Sequence, residues 1–163
     1  MKQMDQAEFS QYYQQQLREG VEFQDFIAEQ LHLQGIVLQS FSSKKYQLRK
    51  ENMLGLEIKF DKKYANTGNL YVETAEKASI RDGPYAPSGI FRDDGCWLFG
   101  IGNRTEFFVF AKTILRLVVS LSSVRLKEKG LRKVETPTSR GILFPRAFAA
   151  SIAAKIFLFD HPP

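Results

Sequence analysis

Apolar and polar residues alternate without interruption along residues 54–61, which read LGLEIKFD. Every second residue from Leu54 onwards is apolar, and the residues between them are charged from Glu57 onwards. Successive side chains of a strand point to opposite faces, so the pattern predicts a strand with one buried and one charged face. Residues 69–73 (NLYVE) resume the alternation, and residues 62–68 contain typical turn formers. These two stretches therefore predict a hairpin of neighbouring strands.

A helix is predicted ahead of these strands, over about residues 5–33. Its apolar residues recur at three- and four-residue spacing from Phe23 to Leu31, as on one face of a helix. Gly20 either breaks this stretch or joins two helices, and Gly35 is suited to its end. Residues 36–41 are short and β-branched, and they predict a first strand.

A second hairpin is predicted further along the chain. Residues 82–89 are rich in glycine and proline, which indicates a loop. The apolar runs 96–101 and 107–111 follow, separated by the turn-forming sequence GNRT. Two apolar runs around such a turn are typical of a hairpin.

Helices are predicted for much of the C-terminal part. Residues 112–121 predict a helix packed on the sheet, residues 122–139 a charged loop, and residues 147–159 an alanine-rich buried helix that follows Pro145. The order of the elements favours an α/β fold in a single domain, residues 1–163. Its simplest packing is a mixed five-stranded sheet flanked by helices.

The charge of the chain is compatible with a nucleic-acid partner. The formal net charge is +5 and the sequence pI is about 9.3. A basic surface attracts DNA or RNA, although many proteins without such a partner are equally basic. A run of basic residues in the predicted loop could follow a phosphate backbone or lie on a solvated surface. The run comprises Arg125, Lys127, Lys129, Arg132, Lys133 and Arg140.

Composition also excludes several classes of site. The single cysteine, Cys96, cannot form an internal disulfide or a cysteine-based zinc site. His32 and His161 lie far apart in sequence, so no histidine-centred triad or metal site is predicted. Residues 1–9 do not resemble a signal peptide, and the apolar stretches are too short to span a bilayer. We expect a cytoplasmic protein without membrane contact.

The charged face of the predicted hairpin carries the candidate chemistry. Neighbouring strands lie about 4.8 Å apart, so Glu57 and Glu73 are expected to face one another. Two such carboxylates repel unless a cation lies between them or one of them holds a proton. Mg²⁺ prefers oxygen ligands, and Lys59 beside it would stabilise charge on a phosphate. The alternative is a solvated strand face with cross-strand charge pairs.

Residues 20–35, 54–61 and 67–77 together resemble the PD-(D/E)XK, or restriction-endonuclease-like, nucleases. Residues 87–90, followed by the Trp97 strand, are similar to a stretch found in phage and bacterial members. The resemblance implies a restriction-endonuclease-like fold and a divalent-metal-dependent endonuclease that hydrolyses DNA phosphodiester bonds with Mg²⁺ or Mn²⁺. It is also compatible with a homodimer, because many members of the superfamily act as dimers.

The resemblance allows two registers for the catalytic residues. In the first, residues 57–59 are the acid-x-lysine motif and Glu51 is the earlier acid. In the second, which the strand order favours, Glu57 and Glu73 are the two acids. Ala75 then occupies the place of the lysine, and Lys59 or Lys77 substitutes for it. The accessory candidates are Gln24, at the position of a glutamate in the family's first helix, Asp25 beside it, and Asp61.

Two other functions remain open at the level of sequence. The missing lysine at Ala75 favours a nuclease-fold protein that has lost catalysis and only binds nucleic acid or a protein partner. A structural or assembly protein with a charged sheet face is the second alternative. A nuclease assay with Mg²⁺ or Mn²⁺ separates the first alternative from the enzyme, and DNA binding at low salt tests the second.

Overall fold

The computed structural model describes residues 6–39, 51–77 and 83–159. Over these residues the chain forms helices and two β-sheets. The helices are α1 (Gln6–Leu33), α2 (Tyr64–Thr67), α3 (Lys112–Val119), α4 (Ser123–Glu128) and α5 (Arg146–Ile152), and a 3₁₀ turn covers Gly89–Phe91. The strands are β1 (Leu56–Phe60), β2 (Asn69–Glu76), β3 (Ala86–Pro87), β4 (Leu98–Gly102), β5 (Glu106–Ala111), β6 (Arg132–Glu135), β7 (Ser139–Pro145) and β8 (Lys155–Leu158).

Each sheet has four strands. Sheet 1 has the order β1-β4-β5-β8, in which β1 runs parallel to β4 and the other pairs are antiparallel. Sheet 2 has the order β3-β2-β7-β6 and is antiparallel throughout. β1 is thus an edge strand of sheet 1. One side of β1 pairs with β4, and its other side has no strand partner among the described residues.

The core has two parts, one on each face of sheet 1. Phe23 and Ile27 of α1 pack with Leu56 of β1 and Phe107 of β5 in the first part. Phe99 and other residues on the opposite face of sheet 1 pack in the second part, together with residues from sheet 2 and α3 to α5. Alternating side chains of sheet 1 therefore supply both parts, as a sheet that is buried on two faces requires.

Several predicted elements are confirmed. α1 continues through Gly20 and ends before Gly35, which adopts the left-handed conformation with φ of 81°. β4 and β5 form the predicted second hairpin, and α3 follows it directly. The predicted α/β class is thus confirmed, because the described residues form both helices and β-sheets.

The hairpin predicted from β1 and β2 is wrong. β1 pairs with β4, and β2 pairs with β3 and β7, so the two strands belong to different sheets. The intervening residues form α2 instead of a turn, and Gly68 ends this helix with φ of 63°. Alternation defined each strand but not its partner, because the side-chain pattern is the same for either pairing.

The five-stranded sheet is also wrong, because the C-terminal part contributes strands that were predicted as loop or helix. Residues 122–139 form α4 and β6, and residues 147–159 form most of α5 and all of β8. The β6 strand is polar because it lies at an edge of sheet 2, where charged residues are common. Residues 36–39 form no strand, and residues 40–41 lie outside the described residues.

Candidate metal centre

Glu57, the second residue of β1, lies at the centre of the candidate site. The alternation along this strand places Leu56 and Ile58 against α1, so Glu57 points to the opposite face of sheet 1. Its side chain is completely buried, with an exposure of 0%. A buried carboxylate is costly unless cations or hydrogen-bond donors compensate it.

Lys112, the first residue of α3, compensates Glu57 and a second buried acid, Asp94. Its Nζ lies 2.8 Å from Oε2 of Glu57 and donates to the two carboxylate oxygens of Asp94 at 2.9 and 3.2 Å. All three side chains are nearly or fully inaccessible to solvent. The N–H of Cys96 donates to Asp94 at 3.0 Å and fixes its orientation. Lys112 thereby bridges two carboxylates inside the protein.

Glu51 supplies a third carboxylate. One oxygen from each of Glu51, Glu57 and Asp94 can be chosen such that all three lie within 4.8 Å of one another. The N–H of Glu51 also donates to Sγ of Cys96 at 3.4 Å, which connects the segment before β1 to the segment before β4. We refer to Glu51, Glu57 and Asp94 as the acidic cluster.

The turn before β1 holds Glu51 in this position. Oδ1 of Asn52 accepts hydrogen bonds from the N–H groups of Leu54 and Leu56, at 3.2 and 3.1 Å. Glu51 itself accepts the N–H of Ile58 at 3.3 Å. The turn is thus closed by a buried asparagine, and Glu51 is bound to the same strand that carries Glu57.

Lys59 extends from the acidic cluster to the surface. Its Nζ lies 2.9 Å from Oε1 of Glu57, and about a third of its side chain is exposed (34%). Burial lowers the pKa of Lys59, but the attraction of Glu57 and Glu51 outweighs this effect, so the net shift is upward. Lys59 therefore remains an ammonium group at neutral pH.

The acidic cluster is close to charge balance among the residues that the structure describes. Its three carboxylates interact with the ammonium groups of Lys59 and Lys112 and with the guanidinium of Arg92. Burial raises the pKa of Glu51, despite the opposite effect of Lys59 and with a further contribution from Glu57. Both oxygens of Glu57 have ion-pair contacts, yet neither accepts a hydrogen bond of good geometry from any residue that the structure describes. Carboxylate oxygens suit a hard divalent cation such as Mg²⁺ or Mn²⁺. The donor set therefore fits such an ion.

Glu73, a predicted metal ligand, lies on β2 in sheet 2 and is not part of the acidic cluster. It does not face Glu57 on a neighbouring strand, as the predicted hairpin requires, because β1 and β2 are not paired. Its Oε1 accepts a hydrogen bond from the buried Ser88 hydroxyl at 2.7 Å. Burial raises the pKa of Glu73, whereas the Ser88 hydrogen bond and the charge of Lys59 act against the rise. Lys59 thus interacts electrostatically with the glutamates of both strands.

A cleft of about 380 Å³ opens beside the free edge of β1. Gly20 and Gln24 of α1 line one wall, and Glu51 and Lys59 line the other. Gln24, an accessory candidate from the sequence, thus shares the cleft with two residues of the site. Asp25 beside it is exposed on the helix surface. The cleft is where solvent or a ligand reaches Glu51 and Lys59.

Asp61 has a structural role that accounts for both of its oxygens. Oδ1 accepts hydrogen bonds from the N–H groups of Lys63 and Tyr64, and Oδ2 accepts the N–H of Tyr71 at 2.7 Å. The carboxylate thereby joins the end of β1 to α2 and β2. The sequence predicts Asp61 as an accessory ligand, but both of its carboxylate oxygens accept hydrogen bonds from backbone N–H groups.

The remaining predicted residues lie outside the acidic cluster. Nζ of Lys77 lies 4.5 Å from the ring centre of Tyr85, so it makes a cation–π contact. The basic residues of the predicted loop are exposed on or beside α4 and β6, so they form an ordered surface: Arg125, Lys127, Lys129, Arg132 and Lys133.

Asp94 and Lys112 were missed by reasoning from the sequence. Asp94 follows another aspartate in a loop, and Lys112 follows the apolar run of β5, so each resembles a residue that ends an element at the surface. Only the packing of β1 beside β4 brings them to Glu57. The only sequence feature that could have pointed to the site was Lys112, a charged residue directly after the buried strand β5.

No protein-family model matches this chain, and no curated protein or solved structure matches it either. Its function is therefore inferred from the geometry of the acidic cluster. None of the helices that the structure describes is long and apolar enough to cross a membrane.

Proposed function

We propose that this chain is a divalent-metal-dependent endonuclease of the PD-(D/E)XK type that hydrolyses DNA phosphodiester bonds. The observation that carries the proposal is the convergence of Glu51, Glu57 and Asp94 around Lys59 and Lys112. Of the two registers that the sequence allowed, this convergence supports the first, with Glu51 as the earlier acid and residues 57–59 as the acid-x-lysine motif.

The acidic cluster would hold Mg²⁺ or Mn²⁺. When bound, such a cation supplies a Lewis acid for the phosphate and lowers the pKa of a coordinated water. Lys112 fixes the orientations of Glu57 and Asp94 through its contacts with both. Buried ligands whose rotamers are held in this way bind more selectively than ligands on a mobile surface.

Lys59 and Glu73 would act on the substrate side of the site. The Lys59 ammonium is partly exposed and can neutralise charge that develops on the scissile phosphate. Glu73 accepts a hydrogen bond from Ser88 through one oxygen, which leaves the second oxygen available to orient an attacking water. Hydrolysis then proceeds by direct attack of water, without a covalent intermediate on the protein.

A DNA-binding protein without catalysis is the second candidate, and one observation favours it. Glu57 is already in ion-pair contact with Lys59 and Lys112, so the acidic cluster is partly neutralised by the chain itself. A buried network of this kind also occurs for purely structural reasons. The two candidates differ in whether the cluster binds a cation.

Cleavage of DNA by matched variants separates them. Linear and circular DNA, single- and double-stranded, is incubated with the protein and Mg²⁺ or Mn²⁺. We expect Glu57→Gln to abolish cleavage and Lys59→Met to slow it by about a hundredfold or more. Glu29→Gln, which changes an exposed carboxylate of α1, serves as the control and should cleave normally. Binding without any cleavage by the unaltered protein would support the second candidate.

A further inference from the structure

Trp97 is the only tryptophan of the chain, and 62% of it is exposed. It lies directly ahead of β4, where its N–H donates to the carbonyl of Gly55 at 3.0 Å and its carbonyl accepts the N–H of Lys112 at 2.9 Å. An aromatic residue of this size normally buries most of its surface. Its exposure on a well-anchored backbone therefore points to a ligand.

Gly55 supports the tryptophan ring from one side. A Cβ atom added at Gly55 would lie only 2.7 Å from Cδ1 of Trp97, so the ring rests where a side chain would otherwise project. Gly55 also has φ of 63°, a conformation that disfavours other residues. The ring is thus held against backbone and presents its remaining surface to solvent as a platform.

The platform lies close to the acidic cluster. Trp97 follows Asp94 by three residues, which limits the distance between their Cα atoms to about 11 Å. Phe91, on the other side of Asp94, is 40% exposed, and the neighbouring Arg92 is about a third exposed. Aromatic rings for bases and a cation for phosphates are the groups that bind single-stranded nucleic acid. Phe91 and Trp97 lie three residues before and three residues after Asp94, one of the proposed metal ligands.

We propose that Trp97 stacks on an unpaired base of the DNA and that the substrates of this site contain single-stranded DNA, such as overhangs, flaps or gaps. In a duplex each base is already stacked between its neighbours, so its face is not available to a protein side chain unless it is flipped out. The inference rests on the proposed function, because it specifies the DNA that the proposed nuclease accepts.

Fluorescence of the single tryptophan tests stacking directly. The full chain is titrated with an oligothymidylate and with a blunt duplex hairpin of equal charge, in Ca²⁺ to limit cleavage. We expect the oligothymidylate to quench Trp97 emission in a saturable manner, and the hairpin to quench it weakly. Equal quenching by both, or saturable binding of the oligothymidylate without quenching, would overturn the inference.

Variants measure the contribution of the ring to affinity. With a labelled oligothymidylate, we expect Trp97→Ala to weaken binding by about ten- to a hundredfold, and Trp97→Phe to retain most of the affinity. Leu158→Ala removes a similarly exposed apolar side chain from β8, at the opposite edge of sheet 1, and should bind normally. Unchanged affinity of Trp97→Ala, with an unchanged melting temperature, would contradict the inference.

The same measurements distinguish this inference from the proposed function. If the metal site is wrong but the platform is right, the oligothymidylate quenches Trp97 while no DNA is cleaved with Mg²⁺ or Mn²⁺. If the platform is wrong but the metal site is right, the protein cleaves blunt duplex DNA as fast as single-stranded DNA, and Trp97→Ala cleaves both normally.

Discussion

Individual residues of the acidic cluster are in surroundings that cost stability. Glu57, Asp94 and Lys112 are buried together, and transferring charges from water into a protein interior is offset only by close pairing. Glu51 and Glu73 have raised pKa values because burial disfavours their charged forms. Sites that cost stability in this way are typically retained for function.

Removal of Lys112 should therefore reduce the stability of the metal-free protein more than that of the metal-bound protein. Lys112→Met leaves Glu57 and Asp94 buried without their shared cation, and we expect a loss of about 3–5 kcal/mol in the free energy of unfolding. Mn²⁺ should restore a larger part of the melting temperature in this variant than in the unaltered protein, because the ion replaces the missing positive charge. Thermal denaturation with and without Mn²⁺ measures both effects, and the absence of any Mn²⁺ shift in both proteins would contradict the proposed metal site.

Glu51→Gln should stabilise the metal-free protein at neutral pH. The folded-state pKa of Glu51 lies above its ordinary value of 4.5, so the folded state binds more protons than the unfolded state just above that pH. Glu51 therefore makes stability fall as pH rises through this window, and its cost persists at neutral pH. Melting temperatures from pH 4 to pH 8 should show a smaller decline for Glu51→Gln than for the unaltered protein. Part of the decline should remain because Glu73 has a shift of the same sign.

Local sequence patterns predict the individual helices and strands much better than they predict which strands pair. The period of α1 and the alternation or apolar character of β1, β2, β4 and β5 were sufficient to locate these elements. The pairing of β1 with β4 depends on contacts across about forty residues, for which the chain has no local signal. The site followed this division: Glu51, Glu57 and Lys59 were found from one segment, whereas Asp94 and Lys112 depend on the pairing.

The 3₁₀ turn after β3 offers a test of how one element supports the site. Gly89 has φ of 53°, and a Cβ atom there would lie 2.4 Å from the carbonyl oxygen of Glu73. We expect Gly89→Ala to force the turn away from β2, to break the hydrogen bond from Ser88 to Glu73, and to reduce stability and cleavage together. Gly68→Ala is the control, because Gly68 also has a positive φ, of 63°, but has no atom within 4 Å of an added Cβ. That change should cost about 1–2 kcal/mol of stability through backbone strain and leave cleavage by the folded protein unchanged.

For the molecule as a whole, the net charge of +5 favours a polyanionic substrate. The exposed basic residues of α4 and β6 form an ordered surface suited to phosphate contacts, which position DNA without reading its sequence. A divalent cation bound by the acidic cluster would add positive charge there and attract phosphate. Affinity should consequently depend on both salt and divalent metal.

The basic surface predicts a specific salt dependence. A double variant, Arg132→Ala with Lys133→Ala, should weaken DNA binding and reduce the slope of log K against log[salt] by about one for each phosphate interaction that the substitutions remove. Lys155→Ala, on β8, is the control for an exposed lysine elsewhere. An unchanged slope in the double variant would place the DNA on another surface.

The proposed nuclease activity requires that the acidic cluster bind a divalent cation, and anomalous diffraction from a crystal soaked in Mn²⁺ detects such binding. We predict an anomalous peak at about 2.1 Å from carboxylate oxygens of Glu57 and Asp94, with Glu51 as a third ligand directly or through water. No anomalous peak at the cluster, with Lys112 still bridging Glu57 and Asp94 at saturating Mn²⁺, would contradict the proposed metal centre.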